Sequence, residues 1–274
     1  MTSFKKIDVR FSKDKYGELQ RGIFSDENIL KGELIRYCEC GNNDGQYTRD
    51  QLLDIIHKNP KLEYFVRSFS YMIDDDIYKL ALKYEEEKVN DLCSYFNHSC
   101  DPNAGFDSSG HGYYAIKNIE QNEEIVFHYA MLETEASLIN GLNCKCGSIN
   151  CDKKLMFENY RDKQFVNKYF DYFTPYLRSR VNDLKEKWFS EHCYLKRVPM
   201  DESKNISDWK KCLFSLTSIK KDEHVASFLT DKINEDTHYF IHSLEPNCYM
   251  KNEKVFACVD IQSEKELTLN FSKK

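Results

Sequence analysis

No stretch of the chain approaches the roughly 20 consecutive apolar residues that span a bilayer, and its start, MTSFKKIDVR, lacks the apolar h-region of a secretory signal. Those absences argue against a helical membrane protein and predict a reducing location, cytoplasm or nucleus. An excess of positive charge is missing as well. A formal charge of −6 and a pI near 5.8 argue against a protein that grips nucleic acid through its own phosphate-neutralising surface, and a basic partner fits better. No clear basic targeting run is present. Eleven cysteines, an odd number, read in that setting as reduced core residues or metal ligands and not as a disulfide framework. What remains is ample for folding: 274 residues, 41% hydrophobic and 14% aromatic, can build one large domain or two small ones.

From Phe11 to Tyr37, short apolar runs such as GIF and ELIRY are broken by glycine and charge, which predicts small strands with tight turns. A helical insert should follow over about residues 45–90. RDQLLDIIH sets Leu52, Leu53 and Ile56 at helical spacing, and DDDIYKLALKYEEEKV does the same for Ile77, Leu80, Ala81 and Tyr84. The acidic runs Asp74 to Asp76 and Glu85 to Glu87 read as solvated helix ends and faces. GYYAIKNIEQNEEIVFHYA alternates around a polar turn, a strand pair in outline, and LMFENY onward to KEKWF reads as a helical pair with Pro175 opening its second member.

The chain writes one loop twice. YFNHSCDPNA begins at Tyr95 and YFIHSLEPNC at Tyr239, a displacement of 144 (239 − 95). IFSDENILKGE from Ile23 matches LFSLTSIKKDE from Leu213, and AIKNIEQNEEIVFHY from Ala115 matches ACVDIQSEKELTLNF from Ala257. Three segments in the same order point to an internal duplication. The second copy lacks the helical insert and replaces Asn97 by Ile241, Cys100 by Leu244 and Tyr129 by Phe271.

Cys144, Cys146 and Cys151, spaced C-x-C-x4-C, supply three soft thiolates, and a closed structural zinc site needs four. The alternative is that they are ordinary reduced cysteines. Cys38 and Cys40 form a rival C-x-C pair that reads as strand residues.

Taken together, QRGIFSDENILKGELIRY, YFNHSCDPN, NEEIVFHY and CKCGSINC resemble the ordered signature of a SET-domain protein lysine methyltransferase with a zinc-binding post-SET motif, over about residues 7–151. The resemblance implies a fold that is mostly β with inserted helices: a SET-domain β-fold with a pseudoknot, plus a helical linker and a smaller degenerate SET-like β domain. The expected boundaries are 1–142 for the catalytic domain, 143–155 for the post-SET motif, 156–200 for the linker and 201–274 for the degenerate copy. It also implies two cofactors, S-adenosyl-L-methionine and structural Zn2+. Tyr129 matches the catalytic tyrosine and Tyr37 a second channel tyrosine. Phe127 matches a position where Phe leaves room for di- or trimethylation. The turn around Arg21, Gly22, Ile23 and Phe24 corresponds to the cofactor loop, and Asn97 and His98 to further cofactor contacts, with a bracing role for His98 weighed equally. Cys100 matches the fourth zinc ligand beside Cys144, Cys146 and Cys151.

The implied substrate is a protein with a lysine-bearing basic tail, a histone being the first candidate, in the nucleus or cytoplasm or in a host's nucleus. No membrane and no direct nucleic-acid contact is expected. The two copies would pack as an internal pseudo-dimer within a monomer. Competing readings are a catalytically inactive SET-shaped interaction module and a methyltransferase of a non-histone protein. A small-molecule or nucleic-acid methyltransferase is disfavoured by the missing glycine-rich turn between strand and helix.

Overall fold

The protein is described by a computed structural model over residues 5–11, 21–38, 45–80, 92–185, 187–199, 205–228 and 239–272. The chain divides into two compact units. One comprises Met1–Gln46, Leu52–Ile73 and Tyr78–Arg178, and the other Tyr47–Gln51, Asp74–Ile77 and Ser179–Lys274. The architecture is mostly β with inserted helices, and among the described residues no helix is long and apolar enough to cross a membrane.

The first unit is organised around β10 (Glu124–Phe127), whose four residues are all buried. Its unbroken EIVF run follows from being covered on both faces, where alternation would leave polar atoms without water. It pairs antiparallel with β2 (Arg21–Ser25) and parallel with β7 (Asn97–His98), and β1 (Ile7–Phe11) closes the sheet beyond β2. The segment expected to be a turn around Arg21–Phe24 is therefore a regular strand. Ile23 and Ser25 are fully buried in it, and hydrogen-bonded neighbours on both sides hold the backbone extended. A second sheet runs in the order β3 (Leu34–Tyr37), β9 (Gly112–Ala115), β8 (Ala104–Phe106).

The insert is only partly helical. Arg49–Lys58 is the expected helix, and Glu63–Phe69 is a second one that the spacing did not reveal. Ile77–Leu80, read as helical, is instead strand β6, a sheet neighbour of β5 (Ser70–Asp74); Ala81, Tyr84 and Glu85–Glu87 lie outside the described residues. The reason is local: Asp76 has φ 51°, a left-handed conformation that Asp tolerates and a helix does not contain. The predicted helical linker also ends early, at Asp183. Lys163–Tyr169 and Pro175–Asp183 are helices, after which β11 (Lys187–Phe189) and β12 (Cys193–Val198) are strands.

In the second unit, β14 (His224–Phe228), β17 (Lys254–Ala257) and β16 (Cys248–Lys251) join β11 in one sheet, and β13 (Lys210–Ser215) pairs with β12. Phe189, Leu213, Ile219, Val225, Phe240 and Leu267 are among its core side chains. The acidic run Asp74–Asp76 belongs to this unit and is not a solvated helix end. Asp76, 1% exposed, accepts from the backbone N–H groups of Arg49 (2.9 Å) and Arg197 (2.7 Å). The Arg197 guanidinium reaches Asp74 at 2.6 Å, and Lys211 reaches Asp74 at 3.0 Å and Asp75 at 2.9 Å. A run of three acids is tolerated in this setting because each has donors of opposite polarity.

The two units repeat a set of hydrogen bonds. The Asn103 side chain accepts from Val126 N at 2.8 Å and donates to Glu124 O at 2.9 Å; the Asn247 side chain accepts from Thr268 N at 2.8 Å and donates to Glu266 O at 2.8 Å. Tyr129 N donates to His98 Nδ1 at 3.2 Å, and Phe271 N to His242 Nδ1 at 3.3 Å. β15 (Ile241–His242) pairs parallel with β18 (Thr268–Leu269), as β7 does with β10.

Candidate active site

β10 runs directly into the catalytic candidate. His128 caps a short 3-10 turn, Tyr129–Met131, by accepting from Ala130 N at 3.2 Å through Nδ1. The Tyr129 hydroxyl donates to the Phe96 carbonyl at 3.2 Å. Burial pushes this phenol above its ordinary range, with the Glu133 and Glu124 charges adding to the effect, so it stays a protonated hydroxyl.

His98 ties this turn down. Its Nδ1 accepts from Tyr129 N, so the proton of the neutral ring is on Nε2, which lies 3.3 Å from Cys100 Sγ. Burial lowers His98 to about 4 and His128 to about 3, the charge of His98 adding to the latter. Both imidazoles are neutral near pH 7. His98 thus bridges the backbone of Tyr129 and the sulfur of Cys100.

Tyr129 and Phe127 line a cavity of about 350 Å³ in the first unit. Its aromatic wall is built by rings in mutual contact: Phe96 stacks on Tyr113 at 4.2 Å, Phe106 meets Phe127 at 5.1 Å, and Phe127 meets Tyr129 at 5.1 Å. Met72 from β5 and the buried carboxyl of Glu133 complete the part of the wall near Tyr129. Phe96 and Tyr113 stand within motifs or alternating runs visible in the sequence. Glu133 and Met72 carry no such signal, because only the fold brings them to this wall.

The other predicted site residues are placed elsewhere. Tyr37 is half-exposed, outside the cavity wall, and its phenol is raised first by the Asp107 charge and then by Tyr114. Arg21, Gly22, Ile23 and Phe24 lie along β2. Asn97 meets them there: its Nδ2 donates to Arg21 O at 2.9 Å and to Glu124 Oε1 at 2.8 Å. A Cβ on Gly22 would come within 2.3 Å of Glu124 Oε1 and 2.9 Å of Asn97 Nδ2, so any larger residue would have to displace the Glu124 and Asn97 side chains. With both amide protons committed, Asn97 presents its Oδ1 as an acceptor, a fit for the ammonium group of S-adenosylmethionine's amino-acid end.

Three of the four predicted cysteines, Cys100, Cys144 and Cys146, meet in one cluster, with His98 as the fourth ligand group in reach. Cys100 Sγ and Cys144 Sγ are 3.9 Å apart, and tetrahedral zinc with Zn–S of about 2.3 Å sets sulfurs about 3.8 Å from one another. His98, Cys100, Cys144 and Cys146 present ligand atoms all within 4.8 Å, and Cys151 contacts both Cys144 and Cys146. Burial raises the thiols of Cys100 and Cys144, the latter to about 12. It would raise Cys146 too, but N–H groups of Cys100 and Ser148 donate to that sulfur and bring it down to about 7. A soft sulfur donor set of this kind fits Zn2+, whose charge would hold the buried thiols as thiolates when bound. Of the rival pair, Cys38 is in a disulfide, a departure from the expected reduced state, and Cys40 lies outside the described residues.

Comparison with known proteins places this geometry. The SET domain matches residues 20–130. The chain is 29% identical over 143 residues to a histone-lysine N-methyltransferase, H3 lysine-9 specific, of Schizosaccharomyces pombe, covering 44% of this chain and 26% of that protein. It is 26% identical over 154 residues to a histone-lysine N-methyltransferase, H3 lysine-4 specific, of Aspergillus oryzae, covering 54% of this chain and 11% of that protein. The chain thus spans about a quarter or less of the curated relatives it matches. A solved structure of a humanized mutant of the Chaetomium thermophilum Polycomb Repressive Complex 2 overlaps 46% of this chain and 15% of its own, at 20% identity and a TM-score of 0.34. The segment that carries Tyr129, Phe127 and the His98 brace is the segment that matches the SET domain.

Proposed function

We propose that the chain is an S-adenosylmethionine-dependent protein-lysine N-methyltransferase whose substrate is the tail of histone H3, working in the nucleus. The observation that supports it best is the Tyr129 hydroxyl on an aromatic cavity wall, held by Phe96 O and kept protonated by burial.

A free lysine has a pKa of about 10.4, so presenting it uncharged near pH 7 costs about 4–5 kcal/mol at 1.36 kcal/mol per unit. Phe96, Phe106, Tyr113 and Phe127 exclude water and lower that cost by disfavouring the ammonium. Because the Tyr129 proton is committed to Phe96 O, the lone pairs of its oxygen are free to accept from the amine and orient it. Asn97 Oδ1 and the backbone of Arg21–Phe24 would hold S-adenosylmethionine, which supplies a methyl group on a cationic sulfonium when bound. Phe127 brings no hydroxyl, so methylated amines have room; di- or trimethylation is the expected product.

Cys100, Cys144, Cys146 and Cys151 would hold one structural Zn2+, and the His98 contact to Cys100 links that site to the backbone of Tyr129. Residues 201–274 are a degenerate SET-like copy, supported by the repeated Asn and His hydrogen bonds. With Phe271, Ile241 and Leu244 in place of the reactive residues, that copy is catalytically silent.

The test is methyl transfer from labelled S-adenosylmethionine to histone H3 by the full chain, wild type beside Tyr129→Phe. Transfer that disappears in the variant supports the reading. Transfer equal in both, or absent in a wild type that binds the cofactor and zinc, sinks it for histone H3.

A further inference from the structure

Glu133 follows Tyr129 by four residues, and its backbone N–H donates to Tyr129 O at 3.2 Å. It lies on the wall of the same cavity, 5% exposed. A carboxyl that deep ordinarily has a cation partner or a set of donors. Here the Ser137 hydroxyl is its side-chain partner, and among the described residues no Lys, Arg or His pairs with it. The other titratable groups on the wall are Lys79 from β6, His111, the Cys93 thiol and the tyrosines Tyr71, Tyr113, Tyr129 and Tyr176. None of these is among the influences on the Glu133 carboxyl, whereas Glu133 is the strongest charge felt by the Tyr129 hydroxyl. Asn97, Gly22 and the cysteine cluster are away from this wall. The carboxyl thus stands on the wall where a lysine side chain would meet Tyr129, and among the described residues no cation takes up its charge.

Resting on the lysine-methyltransferase reading, we propose that Glu133 is the proton acceptor for the substrate lysine, taking one proton from its ammonium inside the cavity so that the amine meets the methyl donor uncharged. The ammonium N–H bond breaks and a carboxyl O–H bond forms, leaving a neutral acid and a neutral amine in place of two charges that a dry site would penalise. The amine's lone pair then forms the C–N bond as the C–S bond of the sulfonium breaks, its electron pair departing on sulfur. Glu133 returns its proton to solvent after the product leaves. Burial supports the role by raising this carboxyl to about 8, which makes it a far better base than an exposed glutamate.

The test uses the full chain, S-adenosylmethionine and histone H3, with kcat/KM followed from pH 6.5 to 11 for wild type, E133Q and E133D. Gln keeps the size and removes the acceptor. At pH 7, E133Q is expected to be slower by about 100-fold or more, the ordinary worth of positioned proton transfer. Above about pH 8, where wild type has levelled off, its deficit should shrink by roughly tenfold per pH unit, because solvent then supplies free amine, and vanish near the lysine pKa of about 10.4. E133D should recover part of the loss at pH 7. A deficit of the same size at every pH, or none, overturns the proposal. The wild-type profile gives a check that no variant's folding can blur. It should level off near pH 8 and stay level above that, since a lysine that is already a free amine needs no acceptor; a steady tenfold rise per unit up to pH 10 overturns the role. Failure of the underlying reading is distinct, since wild type would then transfer nothing to H3 at any pH, and the proposal would fall with it.

Discussion

His98 and His128 stand beside Tyr129 as neutral imidazoles, their rings 4.7 Å apart and nearly perpendicular. Their neutrality fixes direction: Nδ1 of His98 accepts from the Tyr129 backbone while Nε2–H points to Cys100. At the scale of one residue the consequences are specific. Tyr129→Phe removes the hydroxyl and leaves the Phe96 carbonyl without its donor, for a stability loss of about 1–3 kcal/mol. Methyl transfer is expected to fall by at least about 100-fold in the same variant, so a thermal melt and a transfer assay will move by very different amounts. Phe127→Tyr places a hydroxyl among Phe106, Tyr113 and Tyr129. Mass spectrometry of the product should then show a shift toward monomethyl-lysine.

Asp76 illustrates the element scale. Two consecutive acids at a strand-to-strand turn read as surface, yet Asp76 caps the backbone of Arg49 and Arg197 from a buried position. Burial raises its carboxyl from 3.8 to about 6, against the lowering effect of those N–H groups. Its folded pKa is above its unfolded one, so between about pH 4 and 6 the folded chain binds more protons, and stability is lost as pH rises through that window. The size is on the order of 3 kcal/mol at 1.36 kcal/mol per unit. Denaturant melts of wild type and Asp76→Asn across pH 4 to 6.5 should therefore show a relative decline for wild type that the variant lacks. The cysteine loop is a second element of this kind. Among its described backbone bonds are Gly141 N to Leu155 O and Cys144 N to Lys153 O, both 2.8 Å. Cys146→Ser is expected to reduce bound zinc from one per chain to none by elemental analysis, and to weaken H3 transfer.

For the molecule as a whole, the boundaries of the compact units decide what can be removed. The first unit continues to Arg178 and includes Tyr160, Phe173 and Leu177, each 1% exposed or less. Burying such a side chain contributes about 1.5–3 kcal/mol, and three of them together approach the whole stability of a typical domain. A fragment ending at residue 155 is therefore expected to be insoluble or unfolded by circular dichroism, although every motif of the SET signature is within it. Phe271→Ala in the full chain, by contrast, should leave H3 transfer within about twofold of wild type.

Much of the candidate site's inventory was legible in residue order alone. Asn97, His98, Cys100, Phe127 and Tyr129 were named from motifs, and of the C-x-C-x4-C run Cys144 and Cys146 meet Cys100 and His98 in one cluster. The repeated segments were legible in the sequence too, and the matching asparagines Asn103 and Asn247 make matching hydrogen bonds. Periodicity failed where a local conformation overrode it, at Ile77–Leu80 behind the left-handed Asp76 and at Lys187–Val198 beyond the helices. Tertiary structure alone decided which rings line the cavity, that Tyr37 stays outside its wall, that Asp76 is buried, and that Glu133 stands on the wall with Tyr129. Those facts depend on contacts between segments tens of residues apart, such as Met72 from β5 joining the turn after β10, and no spacing along the chain encodes such a meeting.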